Sequence, residues 1–195
     1  MIRQGTSGLD ADSIIAEARR RAGFDDFGSD EWAEPMRVLV EALNVEGRLN
    51  AAGRAQQAER MVGLLVNRAR AAHWLGAHPE ILEERIEDPI VILGLPRTGS
   101  TMLHRTLAAA PGMRALQWWE SRNPAPWPGW SPANAASLPD PRIESARAEV
   151  RELLASNPDL AAVHPYSAES PDEEIMLLEH AFMSGNPPAF AHVPS

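Results

Sequence analysis

The chain has 195 residues, 44% of them hydrophobic, and a formal net charge of −9. That is enough for one domain with a real core, and the acidic balance argues against general nucleic-acid binding, which needs a basic face. There is no cysteine, and all 18 basic residues are arginine, which excludes disulfides, zinc–thiolate sites and cysteine nucleophiles and makes every fixed cation a planar fork of donors.

The start, MIRQGTSGLDAD, has no apolar stretch of the secretory kind. The longest apolar run, around IVILGL, is far short of a membrane span, so a cytoplasmic protein is the expectation. Helices come first. DADSIIAEARRRAG offers Asp10 or Asp12 as a cap and Gly23 as a stop. A second helix follows Ser29, with Met36, Leu39, Val40 and Leu43 on one face and Asp30, Glu31 and Glu34 early, where the helix dipole favours acids. Asn50 caps a third helix to about Leu75, on which Met61, Leu64 and Leu65 share a stripe. PEILEERIED predicts a short fourth. This region, 1–87, carries no evident chemistry.

At Pro89 the pattern changes. PIVILGL is short, continuous and β-branched, as a strand buried on both faces reads. A helix is expected from Ser100 through STMLHRTLAAA, then a second strand over RALQW. Strand, glycine loop, helix and strand together predict an α/β fold with a parallel sheet flanked by helices. Residues 123–141 hold six prolines and two tryptophans, so an extended loop is expected, with Trp127 and Trp130 as candidate walls of an acceptor pocket. Helix returns over about 141–156 and again at PDEEIMLLEHAFMS, where Ile175, Leu178 and Phe182 make an apolar stripe.

The stretch VILGLPRTGSTMLH carries the most chemistry. A strand that ends in a glycine loop and enters a helix aims backbone N–H groups at one spot, where the helix N-terminus adds partial positive charge. Gly94 and Gly99 let the loop approach an anion, Pro96 stiffens it, Ser100 and Thr101 add hydroxyl donors, and Arg97 supplies a charge-assisted bond. A nucleotide-hydrolysing loop would have a lysine after the second glycine to span the outer phosphates. None is present, which weighs against a kinase or NTPase.

GLPRTGST followed by a helix, then RALQWWE, resembles the phosphosulfate loop of sulfotransferases, and the chain is similar to a bacterial branch of that family from about residue 24 onward, most specifically over 88–122. The resemblance implies a P-loop-like domain starting near residue 88 behind a helical N-terminal region. It implies transfer of a sulfuryl group from 3′-phosphoadenosine 5′-phosphosulfate (PAPS) to a hydroxyl or amine on a small molecule. On the matching positions, Arg97, Thr98, Gly99, Ser100 and Thr101 bind the 5′-phosphosulfate, Arg97 balances leaving-group charge, Glu120 in WWES is the general base, and no metal is needed. His164 is the alternative base, since other branches use histidine. Members of the branch are about twice as long and bind the 3′-phosphate with a later arginine and serine. Arg142 with Ser145, and Arg151 with Ser156, do not match that arrangement, so 88–195 is expected to be the N-terminal part of an incomplete domain, inactive alone. Competing readings are a nucleotide-binding kinase or NTPase with an unusual loop, and a non-catalytic helical interaction module. Homo-oligomerisation is left open.

Overall fold

A computed structural model describes residues 8–95, 98–185 and 191–193. The chain divides into two compact units. One comprises the described residues of Met1–Ala77 and Ile175–Ser195, the other His78–Glu174.

The first unit is helical and owes its elements to local signals. Helix α1 (Ala11–Ala22) starts at Asp10, whose side chain accepts from the Ser13 N–H at 2.8 Å, so one orphan donor of the first turn is satisfied. It ends at Gly23, left-handed at φ 74°, whose N–H returns to Arg19 O. Its buried face, Ala11, Ile14, Ala18 and Ala22, is mostly alanine, and small residues let it lie close against α3 (Ala51–Ala77). Helix α2 (Ala33–Val45) buries Met36, Val40 and Leu43 at helical spacing. The Asn50 side chain accepts from Gly53 N–H at 2.8 Å at the start of α3. Met36, Met61, Val62 and Leu65 are almost fully buried and form the centre of the core. Arg68 donates to Phe27 O and Ser29 O and so pins the loop between α1 and α2. Phe182 and Val193 complete the same core, and Glu179, nearly sealed from solvent, pairs with Arg60 at 2.9 Å. The expected helix over PDEEIMLLEHAFMS is shorter in the structure: an α-helical turn, Ile175–Leu178, and a 3-10 turn, Glu179–Ala181. Of its predicted stripe, Phe182 is buried while Ile175 and Leu178 stay exposed.

In the second unit PEILE is a 3-10 turn (Pro79–Glu83). Helix α4 (Ser100–Ala108) follows the glycine loop, α5 (Trp118–Arg122) follows RALQ, α6 (Pro141–Ser156) follows the proline-rich segment, and α7 spans Leu160–Val163. The proline-rich segment is a loop broken by a 3-10 turn, Pro132–Asn134. It is held by Arg142, whose buried guanidinium grips the Asp140 carboxylate (Nη2–Oδ2 2.6 Å), donates to Asn123 O, and lies over the Trp119 and Trp130 rings at 4.6 and 5.4 Å.

The expected parallel sheet is corrected by the structure. Among the described residues there is no sheet, and the β pairing is a single antiparallel bridge between Gln117 and Pro171. Residues 88–95 are not helical and make no ladder, and Ile90, Val91, Leu93 and Leu95 face solvent. The physical reason is that a strand is a property of pairs. An apolar run states that its side chains need covering on both faces, but it cannot supply the neighbouring N–H and C=O groups. The second expected strand, RALQW, turns into α5 after Gln117.

Candidate functional site

The glycine loop is built by its own residues. Gly99, the N-cap of α4, has φ 91°, a left-handed conformation open to glycine. It has no side chain to cap α4, so the first-turn amides keep their hydrogen-bonding capacity for another acceptor. Thr98 Oγ1 donates to Leu95 O at 2.6 Å and closes the loop on itself. A Cβ on Gly94 would lie 3.0 Å from that hydroxyl, so glycine there is what allows the closure. Ser100 and Thr101 are the first two residues of α4 and are partly exposed. The loop thus presents backbone and hydroxyl donors at a helix N-terminus, the arrangement that suits an anion. Arg97, the expected cation, and Pro96 lie outside the described residues.

Glu120 is not placed at the end of a second strand. It is the third residue of α5 and forms a capping box with Gln117: its Oε2 accepts from the Gln117 N–H at 3.0 Å. Its Oε1 accepts from Arg114 Nη2 at 2.5 Å, so the partner is Arg114, while Arg122 pairs with Glu149 at 2.9 Å. Each carboxylate oxygen has a second lone-pair direction, so both bonds orient the group and leave it able to accept another.

Segment 164–172 locks α5 from the other side. Trp118 N–H donates to Ser170 O, Trp119 N–H to Ala168 O, and Asp172 N–H to Leu116 O, at 3.0–3.1 Å. Asp172 is buried, with its carboxylate 3.2 Å from His164 Nε2 and accepting from Glu173 N–H at 2.8 Å. His164 packs on Tyr166, and Tyr166 meets Trp118 edge-on. Burial first, then the charges of Asp172 and Glu173, push the Tyr166 hydroxyl above its ordinary range. Arg105 of α4 donates to Pro165 O at 2.8 Å, so the loop's helix and the helix bearing Glu120 are both tied to this one segment. His164 is therefore an oriented histidine with a buried carboxylate partner. Sequence reasoning misses Asp172 and Arg114, since neither lies at a motif distance from the group it holds. The capping-box spacing of Gln117 and Glu120 is legible and points to a helix start.

Trp127 and Trp130 are partly buried, and Trp130 Nε1 donates to Leu138 O at 2.9 Å, so this indole braces the proline-rich loop. His104 sits half-buried on α4. His73 stacks on Phe24 in the first unit. A hollow of about 760 Å³ beside Asn44, Arg48 and Arg54 also belongs to the first unit and includes none of the candidate site residues. Among the described residues no helix is long and apolar enough to cross a membrane.

Comparison with known proteins agrees with this loop-and-helix arrangement. No curated protein matches the chain. Among solved structures it is similar to sulfotransferase STF1 from Mycobacterium tuberculosis H37Rv, with a TM-score of 0.76 and 31% identity over 95% of this chain and 50% of that one. It is also similar to sulfotransferase STF9 from Mycobacterium avium, with a TM-score of 0.76 and 26% identity over 95% of this chain and 48% of that one. The chain thus spans about half the length of the solved structures it matches. The profile of the sulfotransferase family matches residues 89–195, which contain the glycine loop, Glu120 and the His164–Asp172 pair, and the chain belongs to that family.

Proposed function

We propose that these residues serve sulfuryl transfer from PAPS to a hydroxyl or amine of a small acceptor, in the cytoplasm and without a metal. The observation that carries the reading is the uncapped N-terminus of α4 behind a glycine loop closed by Thr98, in a chain of the sulfotransferase family. In this scheme the amides and hydroxyls of Thr98–Thr101 hold the 5′-phosphosulfate. Arg97 balances charge that grows on the bridging oxygen as its bond to sulfur breaks. Glu120, aimed by Gln117 and Arg114, takes the acceptor proton as the new oxygen–sulfur or nitrogen–sulfur bond forms. Glu120 is preferred to His164 because its carboxylate stands at the position the family motif implies, whereas His164 is already engaged by Asp172.

The test is amide NMR with adenosine 3′,5′-bisphosphate (PAP), the desulfurated donor. We expect millimolar PAP, without magnesium, to shift the Thr98, Gly99, Ser100 and Thr101 amides. No shift there with PAP, or shifts that require ATP and magnesium together, would refute the reading and favour a kinase-like site.

A further inference from the structure

The second unit leaves an apolar ribbon uncovered. Along residues 90–95 Val91 is 72% exposed, Leu93 90% and Leu95 77%, with Ile90 exposed on the opposite face of the extended chain. Ile86 just before it is exposed as well. Helix α4, next in sequence, buries no residue and shows Met102 at 75%. A monomer scatters exposed apolar side chains singly. A contiguous run of them, next to an unpaired extended backbone, marks an interaction surface.

We propose that this ribbon is the docking surface for the polypeptide that makes up the half of a sulfotransferase this chain does not span. The inference rests on the family membership, not on the donor assigned above. Three observations select that occupant. The extended segment is apolar on both faces, so its partner must cover both as well as pair the backbone. A second copy related by a two-fold pairs one backbone edge and leaves the other face wet. A lipid surface suits an element with one polar, basic face; here both faces are apolar, and Glu83, Glu84, Glu87 and Asp88 immediately before the segment oppose an anionic bilayer. Size agrees too, since each solved sulfotransferase has as much chain outside the matched region as within it. Docking by strand addition gives the backbone its hydrogen bonds and the side chains their pockets together.

The probe is the part of the M. tuberculosis STF1 polypeptide that this chain does not match, mixed with the full chain and followed by analytical ultracentrifugation and by binding of a hydrophobic dye. A 1:1 complex is expected, with dye displaced from the ribbon. Val91→Asp and Leu93→Asp are expected to weaken the complex by roughly a hundredfold or more, as charges placed in an interface core do. Val45→Asp, on an exposed residue of the first unit, should leave it unchanged. The ribbon positions are solvent-exposed in the free chain, so unchanged helical circular dichroism certifies that these variants fold. Absence of a complex overturns the proposal. So does a stable homodimer that Leu93→Asp breaks, or capture of the chain by anionic vesicles through Leu93. PAP binding is read separately: a complex that forms through the ribbon but never shifts the loop amides with PAP would remove the donor assignment and leave the docking surface standing.

Discussion

Arg142→Ala is the substitution with the largest consequence that the second unit's geometry supports. The guanidinium and the Asp140 carboxylate are both buried, with side chains 8% and 6% exposed. Truncation removes the Nε and Nη2 bonds to Asp140 (2.6–3.1 Å), the Nη1 bond to Asn123 O (3.0 Å), and the cation's contacts with two indoles. Asp140 keeps its cap on the residue-142 amide but becomes a buried charge without a partner. Breaking such a pair costs about 3–5 kcal/mol. Asp140→Asn with Arg142→Ala should recover at least about 1 kcal/mol, because asparagine still caps α6 and no charge is left inside. The assay is urea unfolding by tryptophan fluorescence, with hydrogen exchange of 123–153 to locate the loss. Arg147→Ala, which removes an exposed pair with Glu169, is the control expected to change little. A cost for Arg142→Ala below about 1 kcal/mol, or a double variant no better than the single, would refute the assignment of this pair as the anchor of the proline-rich loop.

Gly99→Ala should cost about 1–2 kcal/mol from the left-handed backbone alone, since nothing lies within 4 Å of an added Cβ. Thermal melts and loss of the PAP-induced amide shifts check it. In the active assembly, Glu120→Gln should lower kcat by roughly a hundredfold with PAP affinity retained, and steady-state kinetics with full turnover would exclude Glu120 as base. Arg97→Ala should weaken donor binding and slow transfer where Arg97→Lys retains much of both, measured by titration and radiolabelled sulfate transfer. Hydrogen bonds from Arg20 and Arg21 hold the Glu17 carboxyl down at about 2. Its folded pKa is below the unfolded one, so its stabilisation is present above the ordinary carboxylate range and is lost as pH falls towards 2, and Glu17→Gln should remove that part of the acid-unfolding curve. The chain has one tyrosine, so absorbance at alkaline pH reports Tyr166 directly. Its ionisation should fall above pH 10 and move down in Asp172→Asn as one of the opposing charges is removed.

Local physics makes much of the chain legible from its sequence alone. The Asp10 cap and Gly23 stop bound α1, Asn50 introduces α3, Asp140 and Pro141 open α6, and Gly99 launches α4, because caps and left-handed glycines act within a turn of where they stand. The glycine loop and its family are readable for the same reason: the anion-binding donors are backbone groups set by neighbouring residues. Pairing across distance is not readable. PIVILGL has the composition of a buried strand, yet composition names a need for partners and not their presence, so only the tertiary structure shows Leu93 and Leu95 in solvent. Glu120 is legible as a carboxylate after RALQW, but its fixing by Arg114 depends on how the chain turns at Gln117. His164 stands alone in the sequence because Asp172 reaches it across a turn that the pairing of 168–172 with 116–119 creates. In each case the deciding bond joins residues whose proximity exists only once the intervening backbone has chosen its path.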